Sequence, residues 1–216
     1  MADGMIGKVR LCVFIVLASQ AVYSIFDYLK KSLESNRENQ TEGIKKSEVL
    51  FFPDKKIACR QFLSDGGCSR DRCSYAHEVT SLSRLIDVLI KARRTLDVCV
   101  FTINCFELAD AVIQMHKRGV VIRVLTDSEQ IGSSGSQIEK FRREGIQVRN
   151  DLSSFFMHHK FAIVDGEVLA NGSFNWTRQA VTGNRENVVI TYERELVRKF
   201  SQEFNKLWEE YDPSKR

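Results

Sequence analysis

Proline is nearly missing from this chain: Pro53 and Pro213 are the only two in 216 residues. That excludes a proline-rich linker or a polyproline ligand segment. Cysteine, at six residues, is too sparse for a secreted disulfide scaffold, which would be smaller and denser in cysteine. Charge of one sign is also in short supply. Lys and Arg number 32 against 28 for Asp and Glu, an excess of four that permits an anionic partner without requiring one. Hydrophobic residues at 43% and charged residues at 28% exclude a disordered, collagen-like or fully membrane-embedded chain. What remains is a globular protein of one or two domains, long enough to bury a core. It contains no internal repeat.

One long uncharged run is present, residues 11–26 (LCVFIVLASQAVYSIF), with Lys8 and Arg10 before it and Asp27, Lys30 and Lys31 after it. As a helix these sixteen residues span about 24 Å, slightly short of a hydrocarbon core of about 30 Å. Residues 5–7 and snorkelling of Lys8 and Arg10 supply the rest. Three readings compete: a buried soluble helix, a cleaved signal peptide with Ser19-Gln20-Ala21 as its cleavage site, and an uncleaved anchor. A run apolar on every side disfavours the first. The cysteine cluster described below suits a non-oxidising compartment and favours the anchor. More Lys and Arg follow the span (Lys30, Lys31, Arg37, Lys45, Lys46) than precede it, which places the C-terminal bulk in the cytosol. The expected organisation is an anchor over 1–31 (span about 5–26), a polar linker over 32–47 and a catalytic domain over 48–216.

Within that domain, apolar runs at 48–53, 96–103, 120–125, 146–149, 160–164, 168–171 and 188–191 read as strands. Helical spacing appears over 81–94, 107–117 and 138–144, and in Leu196, Phe200, Phe204, Leu207 and Trp208 of a closing amphipathic helix. Asp165-Gly166 between two apolar runs predicts a hairpin. Alternating strands and helices predict an α/β class, a mixed sheet flanked by helices. Cys12, Cys99 and Cys105 lie in apolar runs and read as buried free thiols. Phe155, Phe156 and Met157 read as core in preference to a lipid-binding ridge, a use that a lipid enzyme could make of them.

The residues that carry chemistry are His158, Lys160 and Asp165, in the pattern H-x-K-x4-D, followed by Gly172-Ser173-Phe174-Asn175 and then Glu186. Cleaving a phosphodiester without a catalytic metal needs a nucleophile that tolerates a covalent phosphoryl intermediate, and imidazole does. At the start of a strand His158 and Lys160 share a face, so Lys160 is expected to be placed to neutralise a phosphate attacked by His158. Asn175 and the Ser173 hydroxyl or amide are expected to donate to the non-bridging oxygens. Asp165 lies one strand away and is expected to prop the hairpin. His159 is expected to point to the back face. Arg123, Arg142, Arg143, Arg149, Arg178 and Arg185 surround the expected site and suit a polyanionic strand or an anionic headgroup equally.

Cys59, Cys68, Cys73 and His77, spaced C-x8-C-x4-C-x3-H, offer four soft donors for a tetrahedral zinc with no open position, hence a structural one. The spacing resembles Cys3His fingers, whose commonest middle interval is one residue longer. Arg60, Arg70, Arg72, Phe62 and Tyr75 accompany the cluster and suit single-stranded RNA; a purely structural staple is the other reading.

The composite of His158, Lys160, Asp165, Gly172, Ser173 and Asn175 is the signature of the phospholipase D superfamily. With one such motif per chain, a Cys3His insert over 59–77 and an N-terminal anchor, the sequence resembles the Zucchini-type cardiolipin hydrolase branch along essentially its whole length. The resemblance implies a phospholipase D-like fold and a phosphohistidine intermediate, with Glu186 orienting His158. It also implies a structural zinc and no catalytic metal. Large members of the superfamily carry two H-x-K motifs; a single one implies a homodimer that shares its active site. The branch is anchored in the outer mitochondrial membrane facing the cytosol. Two activities follow from the resemblance: cleavage of single-stranded RNA in piRNA biogenesis, which is the expected one, and, as the alternative or a second activity of the same site, hydrolysis of cardiolipin to phosphatidate.

Overall fold

A computed structural model of the chain describes residues 46–151 and 153–215, together with Lys30. The chain divides into two units, Met1–Lys45 and Lys46–Arg216. The expected anchor, and the linker up to residue 45, lie outside the described residues apart from Lys30. Among the described residues no helix is long and apolar enough to cross a membrane.

The second unit is built on one seven-stranded sheet in the order β1-β7-β6-β5-β2-β3-β4. Its strands are β1 (Glu48–Phe51), β2 (Thr95–Val100), β3 (Val121–Thr126), β4 (Gln147–Asn150), β5 (Lys160–Val164), β6 (Val168–Gly172) and β7 (Asn187–Thr191). β2, β3 and β4 run parallel, and every other pairing is antiparallel. The expected mixed α/β sheet is therefore present, with a parallel half joined to an antiparallel half between β2 and β5.

Alternation along the strands sends side chains to two unequal cores. Leu96, Val98, Val124, Ala162, Ala170 and Ile190 face the larger one. It is covered by α2 (Ser81–Leu89), α3 (Phe106–Lys117), α4 (Ile138–Arg143) and α5 (Arg178–Thr182). Cys99, Leu125, Phe161, Ile163 and Leu169 face the smaller one, against Val197, Phe204, Leu207 and Trp208 of α6 (Arg194–Glu210). Arg123 is fixed on this second face by a two-pronged bond to Asp97, 2.8 Å at each prong, and lies against the Phe204 and Trp208 rings. Arg149 stacks on Trp208, 4.3 Å from the ring centroid, and pairs with Asp212 at 3.2 Å. These two arginines lock the closing helix onto the sheet and are withdrawn from any ligand-binding role.

Two short helices depart from the sequence expectation. The insert begins with α1 (Arg60–Asp65), closed by Gly66 at φ 69°, whose N–H donates to the Phe62 carbonyl. The segment after Trp176 forms α5, where the Thr177 hydroxyl accepts from the Ala180 amide. Each has fewer than two turns, too few for a 3.6-residue period to register.

The β5–β6 hairpin turns where Asp165-Gly166 predicts it, and both residues take positive φ. Asp165 stands at the far end of β5 from Lys160. Its carboxylate accepts from the amides of Arg93 (3.0 Å), Arg94 (2.7 Å) and Thr95 (2.9 Å), tying the hairpin to the entry of β2. Although partial burial pushes its pKa upward, these amides, with the charge of Arg94, hold the carboxyl below the usual aspartate range. Its contribution to stability is thus complete above the ordinary carboxylate range and is lost as pH falls through the depressed folded value. Asp165→Ala is expected to cost about 1–3 kcal/mol. Acid unfolding curves should converge for parent and variant at low pH; parallel curves at every pH would refute this role.

Candidate active site

The expected site residues converge on one end of the sheet, where β2, β3 and β6 finish and β5 and β7 begin. The segment leading into β5 is fixed at three points. The Met157 amide donates to buried Asp127 at 3.0 Å, the Phe101 amide donates to the His159 carbonyl at 2.9 Å, and Lys160 pairs with Val100 across the ladder. His158 is held between these anchors with an exposed imidazole. Its ring meets Phe101 edge-on at 4.8 Å. The Lys160 ammonium donates to the His158 carbonyl at 2.7 Å and lies 5.2 Å from the centre of the Phe101 ring. His159 alternates to the back face, against Phe161, where burial lowers its pKa.

Gly172 closes β6 and pairs with Val188 on β7, bringing Ser173 beside Glu186 and Asn187. The Ser173 hydroxyl donates to the Glu186 carboxylate, its amide donates to the Asn187 carbonyl at 3.2 Å, and its oxygen accepts from the Asn187 amide. Both Ser173 donors are committed inside the protein, which corrects the expectation that they point at phosphate. The other Glu186 oxygen accepts from the Asn184 amide group at 3.0 Å. These are the hydrogen bonds the Glu186 carboxylate makes among the described residues, so the expected link to His158 is replaced by one to Ser173. Burial lowers the Lys160 pKa, and the Glu186 charge opposes that shift.

Phe174 and Trp176 are buried, Phe174 stacking on Phe52 at 4.1 Å. Strand-like alternation places the half-buried Asn175 between them, and its carbonyl oxygen Oδ1 is buried without a partner among the described residues. His158, Lys160, Ser173 and Glu186 therefore form one group and Asn175 lies on the adjoining loop, while Asp165 does not belong to it. Phe101, which touches both His158 and Lys160, escaped the sequence reading because it belongs to no motif and reads as one more apolar residue in a strand.

Four of the six expected basic residues are paired: Arg123 and Arg149 as above, Arg142 with Glu139 at 2.7 Å, and Arg178 with the buried Glu107 at 3.5 Å. Arg143 and Arg185 are exposed. A second correction concerns Phe155 and Phe156, expected in the core: they are 83% and 57% exposed, whereas Met157 is buried against Cys99. Cys99 and Cys105 are buried free thiols as expected.

Away from this site, the ligand atoms of Cys59, Cys68, Cys73 and His77 all lie within 4.8 Å of one another. Hydrogen bonding, foremost from the Phe62 amide, lowers the Cys59 thiol to about 7. Three thiols and an imidazole converging at this range fit a tetrahedral metal with soft donors.

Residues 85–208 match the family described as "Cardiolipin synthase, PLD-like domain". The chain is similar to proteins named mitochondrial cardiolipin hydrolase. The protein from Chlamydomonas reinhardtii is 52% identical over 75% of this chain and 73% of its own length. Those from Mus musculus and Homo sapiens are 47% and 44% identical, each over 78% of this chain, and over 78% and 69% of their own lengths. Among solved structures, it resembles Nuc, a phospholipase D family member from Salmonella typhimurium. The TM-score is 0.58 at 22% identity, over 76% of this chain and 94% of that one. NucT from Helicobacter pylori gives a TM-score of 0.57 at 19% identity, over 76% and 97%. These two likenesses describe the fold.

Proposed function

The chain belongs to the phospholipase D-like phosphodiesterases, among the mitochondrial cardiolipin hydrolases, and on that premise we propose that it cleaves a phosphodiester through His158. The observation that carries this reading is the gathering of His158, Lys160, Ser173 and Glu186 at one sheet end. An imidazole nitrogen attacks phosphorus, the bond to the leaving oxygen breaks, and a phosphohistidine forms. Lys160 balances the charge of the transferring phosphoryl group, and the amide of Asn175, on the adjoining loop, is the proposed neutral donor to it. Glu186, held by Ser173, opposes the loss of the Lys160 charge that burial favours. The leaving oxygen needs a proton, and one motif supplies one imidazole. His158 of a second copy, across a two-fold axis, provides that proton and then activates the water that releases the product.

The substrate proposed first is cardiolipin, cleaved to phosphatidate, as the names of the relatives suggest. Single-stranded RNA, and with it a place in piRNA biogenesis, is a second reading. Exposed Arg143 and Arg185 favour it, as does Arg70, which lies 5.8 Å from the centre of the Tyr75 ring on the insert. The loss of Arg123 and Arg149 to internal pairing weakens it. Zinc bound by Cys59, Cys68, Cys73 and His77 would fold the insert and leave the chemistry to His158. The proposed setting is the outer mitochondrial membrane, with a single pass and the catalytic domain in the cytosol.

The test uses full-length protein in vesicles, assayed on cardiolipin and on single-stranded RNA. Adding His158→Asn subunits to parent subunits under exchange should lower activity per parent subunit, because mixed dimers lack one imidazole. Unchanged specific activity would overturn the shared site. Turnover of neither substrate would overturn both substrate readings.

A further inference from the structure

The two aromatic side chains just before His158 have no place in the mechanism above, yet the fold holds them in solvent. Phe155 is 83% exposed and Phe156 is 57% exposed. Large aromatics in a loop normally turn inward, because burying one is worth about 1.5–3 kcal/mol. Here both flanks prevent it. Upstream, Asp151 is buried and accepts from the Ser128 amide at 3.0 Å. Ser153 bonds both the amide and the carbonyl of Phe155, closing a tight turn. Downstream, Met157 is buried against Cys99 and its amide is held by Asp127. Between these pins the chain has no slack, so the rings of Phe155 and Phe156 project outward. Phe156 is steadied at its base by Phe101, at 5.4 Å, the ring that also touches His158. The exposed pair is therefore continuous with the nucleophile.

We propose that Phe155 and Phe156 form an apolar wedge that enters the acyl region of a lipid bilayer and brings a phospholipid phosphodiester to His158. The proposal rests on the lipid reading above. Three observations favour a lipid surface over a nucleic-acid strand. The rings are adjacent and apolar, without a polar tip. They lie beside His158 and, through Phe101, beside Lys160, a pair that holds one phosphate. Two of the arginines that would have lined a track for successive phosphates are instead bonded to Asp97 and Asp212. A bilayer needs only one phosphate at the nucleophile and apolar contact beside it, whereas a strand needs several cationic contacts.

The experiment uses full-length protein in vesicles with three substrates: cardiolipin in the bilayer, the soluble diester bis(p-nitrophenyl) phosphate, and a single-stranded oligoribonucleotide. Phe155→Ala alone, and together with Phe156→Ala, should reduce cardiolipin turnover by roughly tenfold or more, through the dependence on lipid surface concentration. Hydrolysis of the soluble diester should stay within about twofold of the parent in the single variant, whose ring is not in contact with Phe101 or His158. Separately, Phe155→Trp in vesicles with brominated acyl chains should show quenching beyond that of buried Trp176 and Trp208. Equal losses on all three substrates would overturn the wedge and give the pair a role in holding Phe101 and His158. Loss confined to RNA would overturn it in favour of base stacking. Cardiolipin turnover untouched by the variants, with no quenching, would overturn it while the lipid reading stands. Quenching without any cardiolipin turnover by the parent would keep the wedge and overturn the lipid substrate.

Discussion

Replacing His158 by alanine is expected to lower turnover by about a thousandfold or more while leaving the fold unchanged. The separation of the two effects follows from how the residue is held. Its backbone is anchored by its neighbours, through Met157 to Asp127, His159 to Phe101, and Lys160 to Val100. Its ring is exposed, so truncation opens no cavity. Circular dichroism and the thermal midpoint should match the parent, and substantial residual cleavage would remove His158 from the mechanism. Brief exposure of the parent to chelator should leave turnover running. Prolonged stripping should abolish it together with the folded signal, because a metal held by Cys59, Cys68, Cys73 and His77 would support the insert. Instant loss on chelation would place a metal in the chemistry.

Gly172→Ala is expected to be the most damaging single methyl group in the domain. A Cβ at this position would sit 2.0 Å from the Asn187 carbonyl oxygen, 2.8 Å from its carbon and 3.0 Å from the Val188 Cα. All three are backbone atoms, so no side chain can swing away. Relief requires parting β6 from β7 where Ser173 grips Glu186. The cost should be about 2–4 kcal/mol, and folded variant should lose about tenfold or more in kcat as Glu186 shifts relative to Lys160. Gly132→Ala is the control, since a Cβ there meets nothing within 4 Å and should change the thermal midpoint little. Equal behaviour of the two variants would show that the close approach at Gly172 is not needed.

The motif glycine illustrates what a sequence can and cannot reveal. Its place beside Ser173 marked it as part of a pattern, but the reason lies in a strand fifteen residues away. Long elements were legible because their periods repeat: the Asp165-Gly166 hairpin, the alternating strands and the closing helix all fell where expected. The five-residue α5 and six-residue α1 were not, being too short for any period. Arg123 and Arg149 read as ligand-binding charges because a chain does not announce that Asp97 or Asp212 will face them. Phe155 and Phe156 read as core because hydrophobicity was the only information available. Their exposure is decided by hydrogen bonds of Asp151, Ser153 and Asp127, polar residues whose partners are distant in the chain. Ser173 reads as a phosphate donor by its type, because nothing in the chain shows that Glu186 will accept the hydrogen bond of its hydroxyl.

The unequal covering of the sheet has a consequence for biosynthesis. Four helices distributed through the chain cover one face, but the other waits for α6 alone. Every strand is complete by Thr191, so the whole sheet can assemble while Phe161, Ile163, Leu169 and Leu125 still face water. The contacts that shelter them come from Val197, Phe204, Leu207 and Trp208, which leave the ribosome last among the core residues. A nascent chain at this stage is a finished sheet with one bare apolar side, the kind of surface that holding chaperones bind and that pairs wrongly with its own copies. A stop codon between Thr191 and Trp208 therefore does more than remove a peripheral helix. It releases a chain with every residue of the proposed site and a bare apolar sheet face, and its fate is set by quality control before any substrate is met.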